Sequence, residues 1–341
     1  MRSWCALYVD AGYLLASVAT RATGTSLRSG IEVDHERLIE ALVAHATSSS
    51  GLPVLRVHWY DAARNSVPDQ SQGKISLLPR VKVRLGRIGF DGEQKGVDLR
   101  IGLDMVAHAR NAAIDVIFLV SGDDDLTEAV EEAQAQGVQV MILGVPGKNG
   151  DPHGVSRHLQ GAADGLDLLA AEALDAVVSP RVGAAGKPAL PPSQPQPPVP
   201  SPSFFATRRS ASEPADHGTP SPVEQTSVRA DPALVYSTRT GAAATATSES
   251  ATAEEDAHID QVVQRVLETW LRSATIEQRE ELLTGRPAIP RDIDRALLLD
   301  LSGLLGVYDL TDTTRYRLRA RFWANVDRSQ RAQRITLSAR R

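Results

Sequence analysis

Short apolar runs alternate with helix-spaced apolar positions through the first half of the chain. Trp4 to Val9 reads as a strand closed by Asp10, and Asp34 is placed to cap a helix running through Ala46, with Leu38, Ile39, Leu42 and Val43 on one face. Val54 to Tyr60 and Val81 to Leu85 read as further strands. Val97 to Ala109 follows as helix, Val116 to Val120 as a buried strand, Leu126 to Gln136 as a helix stopped by Gly137, and Val138 to Leu143 as another strand. This alternation predicts an α/β fold: a mostly parallel sheet with helices on both faces. In such sheets sites form beyond the carboxyl ends of the strands.

A change of composition then divides the chain. Thirteen of the 20 prolines lie between Pro180 and Pro232, interleaved with Ser, Thr, Ala and Gly. Such a stretch buries too little apolar surface to offset its ordering entropy, which predicts a disordered tether over 181–256. Beyond it, Ile259, Val262, Val263, Val266, Leu267, Trp270 and Leu271 recur at helical spacing, and Leu297, Leu298, Leu301 and Leu304 mark a second amphipathic helix over Ile293 to Leu305. Thr311 to Val326 carries both periods. Leu318, Phe322 and Val326 fit a helix, while Arg315, Arg317, Arg319 and Arg321 alternate as in a strand; the capping Thr311-Asp312 start favours helix. The expected layout is an α/β domain at 1–180, the linker at 181–256, a small helical domain at 257–327 and a basic tail at 328–341.

Charge adds an asymmetry to this layout. The net −5 splits into 16 Lys+Arg against 23 Asp+Glu in residues 1–180, 6 against 8 in 181–256, and 15 against 11 in 257–341. An acidic first part with a basic last part is a reason to test for a polyanionic ligand. The longest apolar run is far below the roughly 18 residues of a membrane span, and Asp10 interrupts the first one, so neither a membrane segment nor an export signal is expected and the chain reads as cytoplasmic. The single cysteine, Cys5, sits in a strand pattern and reads as core packing.

The candidate chemistry lies in the acids at strand ends. Asp10 follows the first strand, and Ser121-Gly122-Asp123-Asp124-Asp125 follows the strand Val116 to Val120, so both fall on one edge of the predicted sheet. Lys95-Gly96-Val97-Asp98 adds a carboxylate at a helix start. Oxygen-only ligands suit magnesium or manganese, which polarise a phosphodiester and activate water. Each acid also has a plainer reading. Asp10 and Asp123 fit cap or turn positions, Asp98 fits first-turn dipole compensation, and Asp61 fits a turn after Tyr60. Three consecutive acids at one helix start nevertheless repel one another unless protonated or bound to a cation. Asp104 lies about 240° around a straight helix from Asp98. It reaches the same site only if Asp98 lies at a non-helical start, and is otherwise a solvated acid.

Tyr8-Val9-Asp10-Ala11-Gly12-Tyr13-Leu14, Lys95-Gly96-Val97-Asp98 with Asp104 downstream, Leu119-Val120-Ser121-Gly122-Asp123-Asp124-Asp125-Leu126 and Gly137-Val138-Gln139-Val140 together resemble the NYN domain, in the LabA-like branch of the PIN-like nucleases. The resemblance covers about half the chain, residues 1–170. It implies a PIN-like α/β fold and a magnesium- or manganese-dependent ribonuclease acting on RNA. By position, the implied metal-site and catalytic acids are Asp10, Asp98, Asp123 and Asp125, with Asp104 as a further ligand and Asp124 at the variable middle position. One position departs from the family pattern. Where members commonly place an Asn three residues after the first Asp, this chain has Tyr13, and a phenol lacks the amide's paired donor and acceptor.

Two basic segments complete the reading. Lys74 to Arg87 holds Lys82, Arg84 and Arg87, and with Lys95 these are candidate phosphate contacts beside the acids; the competing reading is a solvated edge strand. Residues 311–341 hold nine arginines against two acids, with Tyr316, Phe322 and Trp323 interleaved. This is either a single-stranded RNA surface or a helix with its aromatics in a core and its arginines in water. The C-terminal helical domain is also a candidate docking site for a protein partner. The haloacid phosphatase pattern and the Gly-x-Gly-x-x-Gly dinucleotide pattern are both missing after the first strand. The competing function is a non-catalytic RNA-binding or scaffold protein that keeps the fold.

Overall fold

The computed structural model describes residues 3–88, 94–182, 244–307 and 309–338. In chain order its elements are β1 Cys5–Asp10, α1 Ala11–Thr23, β2 Ile31–Val33, α2 His35–Ser50, β3 Val54–Ala63, α3 Gln70–Ser76, β4 Val81–Ile88, β5 Gln94–Lys95, α4 Val97–Arg110, β6 Val116–Val120, α5 Thr127–Ala135 and β7 Gln139–Gly144. There follow α6 Arg157–Ala162, β8 Gly165–Leu168, α7 Ala171–Asp175, β9 Val178–Pro180, α8 Ala244–Ser273, α9 Ile276–Thr284, α10 Arg291–Leu305 and α11 Asp312–Ser338.

Seven strands form one sheet in the order β5-β4-β3-β1-β6-β7-β8. Six run parallel, and only the two-residue β5 is antiparallel. The period-2 alternation of β1 explains the layers. Cys5, Leu7 and Val9 enter a core with Leu14 and Val18 of α1 and Leu38 and Leu42 of α2. Ala6 and Tyr8 enter the opposite core, with Ile101 and Met105 of α4 and Val130 of α5. Both faces are therefore sealed, and truncating a fully buried side chain such as Ile101 to Ala should cost about 2–5 kcal/mol. The predicted α/β class, with a parallel sheet flanked by helices, is the observed one.

Asp34 caps α2 by accepting from the Arg37 backbone N–H at 3.1 Å, as its position in the sequence predicts. The pattern reading omits α1, whose buried face mixes Leu14 and Val18 with the small Ala11, Gly12, Ser17 and Ala19. It also omits α3, α6 and β8, which are too short to show one.

The predicted linker lies mostly outside the described residues, which resume at 244. There α8 has already begun, so residues 244–256 are helical rather than tether. Residues 328–338 continue α11 instead of forming a separate tail. Glu249–Arg341 belongs with Met1–Ala185 to one compact unit, where the sequence suggested a separate module. The C-terminal core of Ile259, Val263 and Val266 on α8, Ile293 and Leu297 on α10, and Leu318 and Phe322 on α11 also takes in Leu27, which is fully buried there. Among the described residues no helix is long and apolar enough to cross a membrane.

Candidate active site at the carboxyl edge of the sheet

The β1 and β6 strands are parallel neighbours with Val9 opposite Val120, so the residues that follow them emerge side by side. Asp10 ends β1 and caps α1, accepting from the Gly12 backbone N–H at 2.7 Å. Beyond β6, the Asp123 side chain accepts from the Asp125 N–H at 3.1 Å, which fixes the turn into α5. Gly122 is required there by close approach, since a Cβ would stand 1.8 Å from the Gly154 carbonyl oxygen. Tyr13, the departure from the family pattern, ties down the same loop: its hydroxyl donates to the His153 carbonyl at 2.8 Å and accepts from the Val145 N–H at 3.4 Å.

The electrostatics link Asp10, Asp98, Asp123 and Asp125. Burial, and then the charge of Asp98, push the Asp10 carboxyl up to about 6, with Arg28 acting in the opposite sense. Burial also raises Asp98, with Asp125 adding to the rise and Arg295 opposing it. Asp123 is raised by burial and by Asp98, Asp125 and Asp124, against the Asp125 backbone N–H. Like charges thus disfavour the ionised forms of Asp10, Asp98 and Asp123, with Asp125 acting on the last two. Their donors are all carboxylate oxygens, which fits a hard divalent cation. Among the described residues no group of three or more His, Cys, Asp or Glu side chains is arranged to hold a metal ion. Direct ligation by one or two carboxylates, with water completing the shell, is the pattern that magnesium prefers.

Other predicted residues are placed elsewhere. Asp98 and Asp104 both lie within α4, and the helical turn sends them to different sides. Asp104 accepts from the Tyr60 hydroxyl at 2.9 Å and from Arg84 Nε at 2.8 Å. Against the effect of burial, Arg84 and Tyr60 hold its carboxyl below the usual range. It is therefore neither a neighbour of the other acids nor a solvated acid, and its partner Arg84 is occupied by it. Lys82 and Arg87 are exposed on β4, while Lys95 lies on β5 with its side chain outside the described part. Asp124 turns to Ser156 and His158, its carboxylate accepting from the Ser156 hydroxyl that caps α6. Asp61 lies inside β3 and accepts from Gln72 Nε2 at 2.8 Å. Asp164 accepts from the Val140 N–H at 2.7 Å.

Two arginines that no motif marks stand at this edge. The point where a Cβ on Gly12 would lie is 2.8 Å from Asp10 Oδ1, 3.0 Å from Arg28 Nη2 and 3.2 Å from Arg295 Nη2. Arg28 also lines a cleft of about 760 Å³ with His35, Asp61, Asp69 and Gln72, and so stands between that cleft and the acids. Neither arginine shows a sequence signal. Arg28 sits in the short 3-10 turn after Leu27, and Arg295 comes from α10, in the distant C-terminal region.

The family model of the NYN domain matches residues 5–168. An uncharacterized protein of Sinorhizobium fredii is 43% identical over 74 residues, a match spanning 22% of this chain and 35% of that protein. Among solved structures, a Vibrio parahaemolyticus protein of unknown function is 23% identical, over 50% of this chain and 95% of that one, with a TM-score of 0.36. The pyrazinamidase/nicotinamidase of Streptococcus mutans is 15% identical, over 47% and 93%, with a TM-score of 0.23.

Proposed function

Residues 5–168 are an NYN domain, and from that premise we propose that the protein is a metal-dependent ribonuclease cleaving RNA phosphodiester bonds at the carboxyl edge of its sheet. The observation that carries this reading is the set of like-charged carboxylates in which Asp10 and the Asp123–Asp125 turn follow adjacent parallel strands and Asp98 stands in the first turn of α4. A purely structural set of caps would not need so many partly buried like charges, which cost free energy until a cation offsets them.

One or two of these acids would ligate magnesium or manganese directly and the others through its waters, and the ion when bound would supply Lewis-acid polarisation of the phosphate and a hydroxide at neutral pH. The chain's own contribution is positioning. Asp10 is pre-set by the Gly12 N–H, and Asp123 by the Asp125 N–H. The loop beside them is fixed through Tyr13. Preorganised charge of this kind needs no rearrangement as the reaction proceeds.

The test is incubation of the full chain with single-stranded and structured RNA, with magnesium, with manganese and with chelator, beside Asp123→Asn. Cleavage that needs the ion and is lost in the variant supports the proposal. Cleavage indifferent to chelator or to Asp123→Asn overturns it, and RNA binding without cleavage transfers the support to a non-catalytic RNA-binding protein.

A further inference from the structure

A phosphodiester approaching four carboxylates meets repulsion unless cations stand beside them. In the basic segment singled out in the sequence, Arg84 is committed to Asp104, while Lys82 and Arg87 are exposed on β4. The C-terminal helices bring further charge. They grip the loop that carries Arg28. The Ser26 N–H donates to Asp300 at 2.9 Å, the Ser29 hydroxyl donates to Asp292 at 2.7 Å, and Arg265 donates to the Gly24 carbonyl at 3.2 Å. Leu27 is buried in their core. The α10 backbone is fixed in turn by Ile293, Ala296 and Leu297, all buried, while Arg295 between them is exposed on the side that reaches Gly12.

The two guanidiniums have donors to spare. Among the described residues Arg28 Nε and Nη2 are buried without a hydrogen-bond partner, and its one ion pair, Nη1 to Asp61, is a loose 4.0 Å. Arg295 has no hydrogen-bond or salt-bridge partner among the described residues. Asp10 and Asp98 offset part of the two arginines' charge without taking up these donors, and a guanidinium presents paired N–H groups that match phosphate oxygens.

We infer that Arg28 and Arg295 form a two-arginine clamp for an RNA backbone phosphate, so that the C-terminal helices complete the active site of the NYN domain within one chain. The choice of RNA as ligand rests on the ribonuclease reading. The clamp itself is tested without turnover.

The experiment measures binding of a fluorescein-labelled single-stranded oligoribonucleotide to the full chain carrying Asp123→Asn, in chelator, over a series of salt concentrations. Arg295→Ala is compared with Arg295→Lys and with Arg319→Ala, an arginine already paired to Asp294. Because the Arg295 side chain packs in no core, thermal melting should show the variant folded. The expected result is an affinity loss of about 10-fold for Arg295→Ala, with the salt slope reduced by about one. Arg295→Lys should keep the slope but recover only part of the affinity, and Arg319→Ala should change neither. Unchanged affinity and slope in Arg295→Ala overturn the clamp. Tighter binding also overturns it, since Arg295 would then be an internal counter-ion that RNA must displace. If the wild-type chain fails to cleave RNA under any condition, the ribonuclease reading falls while the binding result still decides the clamp.

Discussion

Two regions of this molecule concentrate charge, and the fold treats them in opposite ways. On α11 each of the alternating arginines meets a carboxylate: Arg315 meets Asp309, Arg317 meets Glu255 and Asp256, Arg319 meets Asp294, and Arg321 meets Asp256 and Asp260. At the sheet edge the acids face one another instead, and the two nearby arginines leave their donors unused. The first arrangement is self-neutralised and holds three helices together. The second is only partly compensated, by Arg28 and Arg295 acting across space without hydrogen bonds to the acids, which is the electrostatic condition for binding something from solution. Density of charge in a sequence is therefore weak evidence for a site; lack of internal compensation is the informative quantity.

The contrast can be broken most sharply at Asp123. Asp123→Asn should lower RNA cleavage by at least about 100-fold, as loss of a metal-ligand carboxylate does. It should also raise the melting temperature of the ion-free protein, because one of a set of like charges is removed. Unimpaired cleavage, or a lower melting temperature in chelator, would mean that the acids are structural.

Next in size is Gly122→Ala. The added methyl meets the Gly154 backbone oxygen, which cannot swing aside. A destabilisation of about 3 kcal/mol is expected, or roughly 6–12 °C in melting temperature. A variant as stable as the parent would show that the acidic loop is not held by this contact.

A pH series on Asp10→Asn sharpens the comparison further. The folded pKa of Asp10 is raised from 3.8 to about 6, so the folded state binds the proton more tightly than the unfolded one. The penalty for the charged group is complete above about pH 6 and is relieved as pH falls towards 3.8. Asn caps a helix as well as Asp does. The variant should therefore be more stable than the parent by on the order of 2 kcal/mol at pH 7, with the difference gone near pH 4. Melting curves of the pair across that range decide it, and a pH-independent difference would contradict the buried, repelled carboxylate.

The smallest effect belongs to α11. Arg317→Ala removes contacts to Glu255 at 2.9 Å and to Asp256, and should cost about 1 kcal/mol while leaving RNA affinity unchanged. A loss of RNA affinity with no loss of stability would reverse the assignment of the two regions.

Much of the sheet was legible because its signal is local. Val116 to Val120 is an unbroken apolar run, and β6 has those same bounds. Asp10 and Asp123 stand at strand ends in the sequence and in the fold alike. The period of α4 also carries the separation of Asp98 from Asp104, but not what Asp104 would meet. Tyr60 and Arg84 come from β3 and β4, which the sheet order sets beside it. The helix α1 carries Leu14, Leu15 and Val18 at helical spacing, a short period that the sequence reading passes over beside the Asp10 motif.

The sequence by itself determined the alternation of strands and helices, and with it the edge at which the acids emerge, because backbone periodicity and chain direction are properties of neighbouring residues. Only the tertiary structure decided which charges are answered. Compensation depends on distances between residues far apart in the chain: Arg317 to Glu255 across α11 and α8, and Arg295 of α10 to Asp98 at the start of α4. A run of arginines thus became a scaffold, while one unremarkable arginine was carried to the acids, since Coulomb energy follows separation in space and not along the sequence.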